Sequence, residues 1–185
     1  DGKFVGYSYD TAGNRTMVIH SDGATFTATL QVTGSGPANL RSIANAAGYT
    51  GAQDANITFQ VGSAVTIMGT GGPGDGGAGI DTGSWSSDVL NITLALQISG
   101  KVYGGGAGGG SGAGEGSPGS NGAKGGDAIY CRENLSVTVN SGGQARAGGG
   151  GGGGGDAWVR NVGGEPIYFN GGGGGGGFPN GPGGP

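Results

Sequence analysis

The chain has few of the residues that build common catalytic and metal sites: one cysteine, Cys131, and one histidine, His20, among 185 residues. A single cysteine excludes an internal disulfide framework and a multi-cysteine metal site. No apolar run approaches the roughly 20 residues needed to cross a bilayer. A net charge of −4 disfavours nucleic acid as a partner. We therefore expect no metal, no cofactor and no membrane-spanning segment, and Asp1 in place of Met suggests a fragment or a processed product.

The remaining candidates for catalysis do not form a recognisable motif. His20 lies beside a turn, a poor setting for a triad whose side chains must converge in a pocket. The acidic residues lack the Asp-x-Asp-x-Asp-Gly pattern of a calcium loop, and a hydrolase needs two carboxyls at a set separation. We interpret them as solvated loop charges and predict no enzymatic activity; they are Asp75, Asp81, Asp88, Glu115 and Asp127.

Glycine is abundant, at 53 residues, while proline is ordinary at 7, which disfavours a collagen helix. The longest run, Gly148–Gly155, is either a flexible spacer or part of an architecture that stabilises bare backbone. From 104 to 127, two of every three positions hold tiny residues, and only the third column admits bulk. Such a period is typical of a threefold extended helix of the polyproline II type. We predict that such helices bundle through backbone hydrogen bonds, with Gly148–Gly155 at the buried centre, where valine at Gly151 would destabilise the whole bundle.

Before the glycine tracts the sequence is β-rich. Lys3–Tyr9 and Arg15–His20 flank a hairpin loop at Asp10–Asn14, and Thr25–Val32 alternates as a half-buried strand. A short helix is expected from Pro37 to its stop at Gly48.

A unit then repeats three times: a strand, a small-residue turn, a second short strand and a glycine tract. We predict that each unit is a β-hairpin that feeds a tract. Its first strands are Asn56–Val61, Asn91–Leu96 and Asn134–Val139, its second strands are Val65–Met68, Lys101–Tyr103 and Gln144–Ala147, and its tracts begin at Gly69, Gly104 and Gly148.

Strands that run into polyglycine, at 65–72, 101–110 and 144–158, resemble the glycine-rich receptor-binding tips of tailed-bacteriophage tail fibres. The resemblance covers about residues 56–185, and the β-rich start resembles the fibre region that precedes such tips. It implies polyglycine II helices in a sandwich, with variable loops that contact the host surface.

Aromatic residues lie between or after the tracts, and glycine helices cannot hold such side chains inside. Trp and Tyr are enriched as binding anchors, although the same residues also suit the capping of bundle ends. We predict a receptor-binding set of Trp85, Trp158, Arg160, Tyr168, Phe169 and Phe178.

The sequence thus predicts a mostly β and irregular protein: antiparallel hairpins and one helix in an attachment or oligomerisation region, 1–55, then hairpin repeats and a polyglycine II bundle in 56–185. The implied function is host adsorption from the virion, as a homotrimer that binds an outer-membrane protein or a lipopolysaccharide or other glycan, together with other tail-fibre proteins. Ice-binding, depolymerase and structural glycine-rich proteins are the alternatives.

Overall fold

The computed structural model describes residues 4–9, 15–21, 25–85, 91–114, 118–162 and 165–185. Within these ranges the chain is mostly β, with one short helix. The predicted loop Asp10–Asn14 and the acidic residues Asp88 and Glu115 lie outside the described residues, as does the side chain of His20. Strands β1 (Phe4–Tyr9) and β2 (Arg15–Ser21) pair antiparallel, as the sequence predicts.

The next ten strands form three parallel sheets. The predicted antiparallel pairing of the N-terminal region is therefore wrong for Thr25–Val32, which pairs in parallel with a later strand. The chain visits these sheets in turn and then repeats the same path. Each pass along this path adds a strand beside the equivalent strand of the previous pass. The first sheet contains β3 (Thr25–Val32), β5 (Asp54–Val61), β8 (Ile92–Ile98) and β11 (Leu135–Val139); the second contains β4 (Ala38–Asn39), β7 (Ile80–Asp81) and β10 (Ile129–Tyr130); the third contains β6 (Thr66–Met68), β9 (Lys101–Tyr103) and β12 (Gln144–Arg146).

The two strands of each repeat do not form the predicted β-hairpin. In the first repeat, β5 lies in the first sheet and β6 in the third, and both pair in parallel with their counterparts in the next repeat. The physical reason is burial: stacking equivalent strands places Phe59 between Leu30 and Leu96 on one face. Like residues then line one continuous core, whereas separate hairpins would each leave an apolar face uncovered.

The faces of the first sheet explain its sequence pattern. Ile57, Phe59 and Leu96 are buried. The neighbouring glutamines turn outward and form a ladder, in which Gln31 donates to Gln60 (2.8 Å) and Gln60 donates to Gln97 (3.0 Å). The inward positions of β3 are half-buried or buried and the outward ones exposed, as its alternation predicts.

Helix α1 (Leu40–Ala46) begins later than expected from Pro37. Ala38 is already committed to β4, where its N–H donates to the carbonyl of Gly79 (2.9 Å). Asn39 caps the helix instead, accepting the N–H of Ser42 (2.9 Å). The predicted stop is confirmed: Gly48 follows the C-cap at a φ of +103°.

Beyond the sheets, the glycine-rich parts of the chain run side by side. We call them the glycine segments: 69–72, 75–79, 104–114, 118–127, 147–157, 171–177 and 181–185. Their N–H groups donate to neighbouring segments at intervals of three residues. For instance, Ala107, Gly110 and Ala113 donate to the carbonyls of Gly149, Gly152 and Gly155, at 2.8–3.1 Å. All these partners belong to one chain, which satisfies backbone groups that burial would otherwise leave unpaired.

Segment 104–114 occupies the centre of this array, which corrects the prediction for the eight-glycine run. It contacts all six other segments, and Gly104–Gly108 are buried. The run Gly148–Gly155 contacts three segments, and Gly150 and Gly153 are exposed. Whether a segment is buried depends on how many passes of the chain surround it. The absence of side chains does not decide which segment lies at the centre. The centre even accommodates two alanines, Ala107 and Ala113.

The predicted bulky column is confirmed on segment 118–127. Pro118, Asn121, Lys124 and Asp127 are all exposed, while Gly119, Gly122 and Gly125 of another column are half-buried. A Cβ at any of those three glycines would come too close to backbone carbonyl groups of segment 147–157. Bulk is therefore confined to the side that faces solvent.

Candidate functional site

A two-stranded hairpin stands at the end of the array that lies away from the three sheets. Strands β13 (Trp158–Val162) and β14 (Glu165–Phe169) pair antiparallel between segments 147–157 and 171–177. Its base is fixed on the central segment, because Ala113 donates to the carbonyl of Gly155 (2.9 Å) and accepts the N–H of Gly171 (3.1 Å). The hairpin is thus a loop mounted on a hydrogen-bonded scaffold.

One face of the hairpin carries an exposed aromatic stack. Trp158 pairs with Phe169 across the strands, and their rings are parallel, with centroids 4.1 Å apart and 7° between planes. Trp158 remains 55% exposed and Phe169 39%. Arg160 and its partner Ile167 extend the same face. A cross-strand aromatic pair contributes about 0.5–1.5 kcal/mol, which helps to hold a hairpin that is marginal by itself.

The opposite face is apolar where it is described. Val159 is 52% exposed. Tyr168 lies opposite Val159 in the register, and its side chain lies outside the described part of the structure. Sequence reasoning missed Val159 and Ile167, although the aromatic residues on either side of a turn-like Gly163-Gly164 pair were a signal for such a hairpin.

Trp85 belongs to the interior and not to this face. It is 6% exposed, its indole N–H donates to the carbonyl of Thr82 (2.9 Å), and its ring packs against Tyr49 (5.1 Å). The Arg41 guanidinium lies 5.2 Å from the Trp85 ring. The residue closes the sheet core beside α1. Burial of Tyr49 in the same cluster raises the pKa of its hydroxyl.

Phe178 is exposed, at 68%, but lies at the other end of the glycine segments. Its ring contacts Tyr103 of β9 edge-on (6.2 Å), and its carbonyl accepts the N–H of Gly149. Gly149 and Gly155 are six residues apart, or roughly 20 Å of extended chain. The structure therefore brings Trp158, Arg160 and Phe169 together and separates Phe178 from them.

Three of the described acidic residues, Asp75, Asp81 and Asp127, lie near the sheet end of the array. Asp81 forms a bidentate ion pair with Arg132, with contacts of 3.0 Å. Hydrogen bonding from Arg132 holds the pKa of Asp81 below its ordinary value, despite an opposing effect of burial. Among the described residues, no group of three His, Cys, Asp or Glu side chains is placed to hold a metal ion. The described helix is too short to cross a bilayer.

Comparison with protein families gives a decisive match. The sequence model of the phage tail fibre adhesin Gp38 family matches residues 25–185. The chain belongs to the phage tail fibre adhesin Gp38 family. The adhesin is therefore a virion component of the tail fibre that acts in host recognition. Neither a curated protein nor a solved structure matches it.

Proposed function

We propose that the hairpin β13–β14 is the surface with which this adhesin contacts its receptor on the bacterium. The observation that carries the proposal is the exposed stack of Trp158 on Phe169, flanked by Arg160, at the end of the glycine segments. Exposed aromatic and arginine side chains are the residue types that dominate binding energy at interfaces. Large apolar surface left in water also marks an interaction site.

The glycine segments serve this surface as a rigid scaffold, and we propose that they are polyglycine II helices. Two features support the assignment. The hydrogen bonds recur every three residues, which is the repeat of that helix. Among the described residues of the segments, no glycine has a positive φ. A scaffold built from backbone alone leaves the loop sequences free to vary.

The receptor in this proposal is an outer-membrane protein or a lipopolysaccharide or other glycan, bound without cleavage of a bond. In this proposal the adhesin attaches to other tail-fibre proteins through region 1–55. It assembles as a homotrimer. The parallel sheet does not stop at residue 55, since β3 pairs with β5 across that point. Mass measurement of the assembled protein tests the trimer.

Binding to host cells tests the hairpin. Trp158→Ala and Phe169→Ala should each weaken adsorption at least tenfold while the melting temperature stays within a few degrees. Phe178→Ala, an exposed aromatic at the other end, is the matched control and should bind as wild type does. Trp85→Ala should unfold the sheet core, so a loss of binding by this variant would not report on receptor contact. Equal binding by wild type and both hairpin variants would refute the proposal, and a loss with Phe178→Ala alone would move the site to the sheet end.

A further inference from the structure

A concave surface separate from the hairpin lies on the side of the adhesin, near the sheets. It is a cleft of about 470 Å³ between segments 75–79 and 118–127 and the ends of β7 and β10. The two sides are joined by backbone bonds from Gly76 to Lys124 (2.8 Å) and from Gly79 to Asp127 (2.9 Å). Its volume falls in the range of small-molecule sites.

The floor of the cleft is bare backbone. A Cβ at Gly76 would overlap the carbonyl of Gly105, and one at Gly125 would overlap the carbonyl of Gly148. Both glycines thus point their missing side chains into the array and turn backbone towards the cleft. A ligand can approach such a floor more closely than one covered by side chains.

One wall of the cleft is aromatic and fixed in place. Tyr130 is 44% exposed, and the Arg132 guanidinium lies 4.7 Å from the centre of its ring. Arg132 is itself held by both carboxylate oxygens of Asp81. A ring that is oriented before binding loses little conformational freedom when a ligand packs on it.

The other wall is polar and carries charges of both signs. Asp75 accepts the N–H of Lys124 (2.9 Å), and Lys124 and Asp127 are exposed because they belong to the bulky column. With Asp81 and Arg132, the cleft holds three carboxylates and two cations. The excess of negative charge disfavours phosphate or sulfate, whereas hydroxyl groups can donate to the carboxylates and accept from the cations.

We propose that this cleft binds a neutral sugar, with its C–H face on Tyr130 and its hydroxyls on Asp75, Lys124 and Asp127. The cleft lies at the sheet end of the segments and the hairpin at the far end, so this site is separate from the proposed receptor contact. A weak sugar site on the flank of the adhesin holds it near a glycan-coated surface while the hairpin finds its receptor. Failure of either proposal leaves the other intact.

Saturation-transfer NMR of the full chain tests the site with glucose, galactose, mannose and N-acetylglucosamine at millimolar concentration. We expect transfer to at least one sugar, a loss of at least tenfold in affinity with Tyr130→Ala, and a several-fold loss with Asp127→Asn. Asp127 is exposed, so its variant keeps the proposal testable if Tyr130→Ala fails to fold.

Two controls sharpen the outcome. Trp158→Ala should bind sugar as wild type does, and glucose 1-phosphate should bind at least tenfold more weakly than glucose. No transfer to any of the four sugars, unchanged affinity in both cleft variants, tighter binding of the phosphate, or loss of sugar binding in Trp158→Ala would each overturn the proposal.

Discussion

Replacing Gly151 by alanine should destabilise the whole glycine array. A Cβ at this position would overlap the carbonyl oxygen of Gly108 in the central segment. That oxygen already accepts the N–H of Ala123 (2.9 Å), and the N–H of Gly151 donates to the carbonyl of Ala123 (2.9 Å). The oxygen belongs to the backbone and the Cβ is fixed to it, so no side-chain rotation can relieve the clash.

The magnitude follows from the bonds that a forced separation would break. Besides those two, the bonds from Ala107 to Gly149 (3.1 Å) and from Gly110 to Gly152 (2.8 Å) flank the site. Each bond contributes about 0.5–1.5 kcal/mol, and alanine offsets about 0.4–1 kcal/mol by restricting the unfolded chain. The free energy of unfolding should therefore fall by about 1–6 kcal/mol. Valine at this position should cost at least as much.

Gly153→Ala is the matched control in the same run. A Cβ there would meet nothing closer than the carbonyl of Ser120 at 3.8 Å, and the residue is exposed. Stability should be unchanged or rise by up to about 1 kcal/mol. Urea unfolding followed by tryptophan fluorescence measures both variants. Similar free energies of unfolding for Gly151→Ala and Gly153→Ala would refute the packed array and favour a flexible tract.

Three further predictions concern other parts of the adhesin. Trp158→Ala should weaken adsorption by about 1.4 kcal/mol or more, measured as the apparent Kd for host cells. Gly83 has a φ of +74°, and a Cβ added there would lie 2.6 Å from the Cβ of Arg41. Gly83→Ala should therefore lower the free energy of unfolding by about 2–4 kcal/mol. The control Gly142→Ala, at a φ of +84° but in open space, should lower it by only about 1–2 kcal/mol. Because the pKa of Asp81 is lowered in the folded state, its ion pair stabilises the fold above the ordinary carboxyl pKa of about 4 and loses this effect as pH falls through the lowered value. The difference in unfolding free energy between wild type and Asp81→Asn should hold from pH 7 to 5 and shrink in more acidic buffer, and a constant difference would contradict the assignment.

Much of the local structure could be predicted from the sequence because it depends on short-range chemistry. Alternation in Thr25–Val32 specified a strand, Gly48 supplied a positive-φ helix stop, and the period of three placed Lys124 and Asp127 in solvent. Even the repeat was visible, although aligning its asparagines pairs Ile57 with Ile92, while the sheet pairs Ile57 with Leu94. A shift of two residues keeps the same face inward, so the pattern alone could not detect it.

The tertiary structure decided which segments meet, since that depends on contacts far apart in the sequence. Two strands joined by a short turn are compatible with a hairpin or with a corner between sheets, and stacking against the next pass selects the corner. The same logic buries Trp85 under Arg41 and Tyr49, and places Gly104–Ala113 at the centre of the array. A glycine run allows other backbone segments to pack closely against it. Only the folded chain determines how many segments do so. The stack of Trp158 on Phe169, eleven residues apart in the chain, exists because two glycine segments hold the ends of its hairpin together.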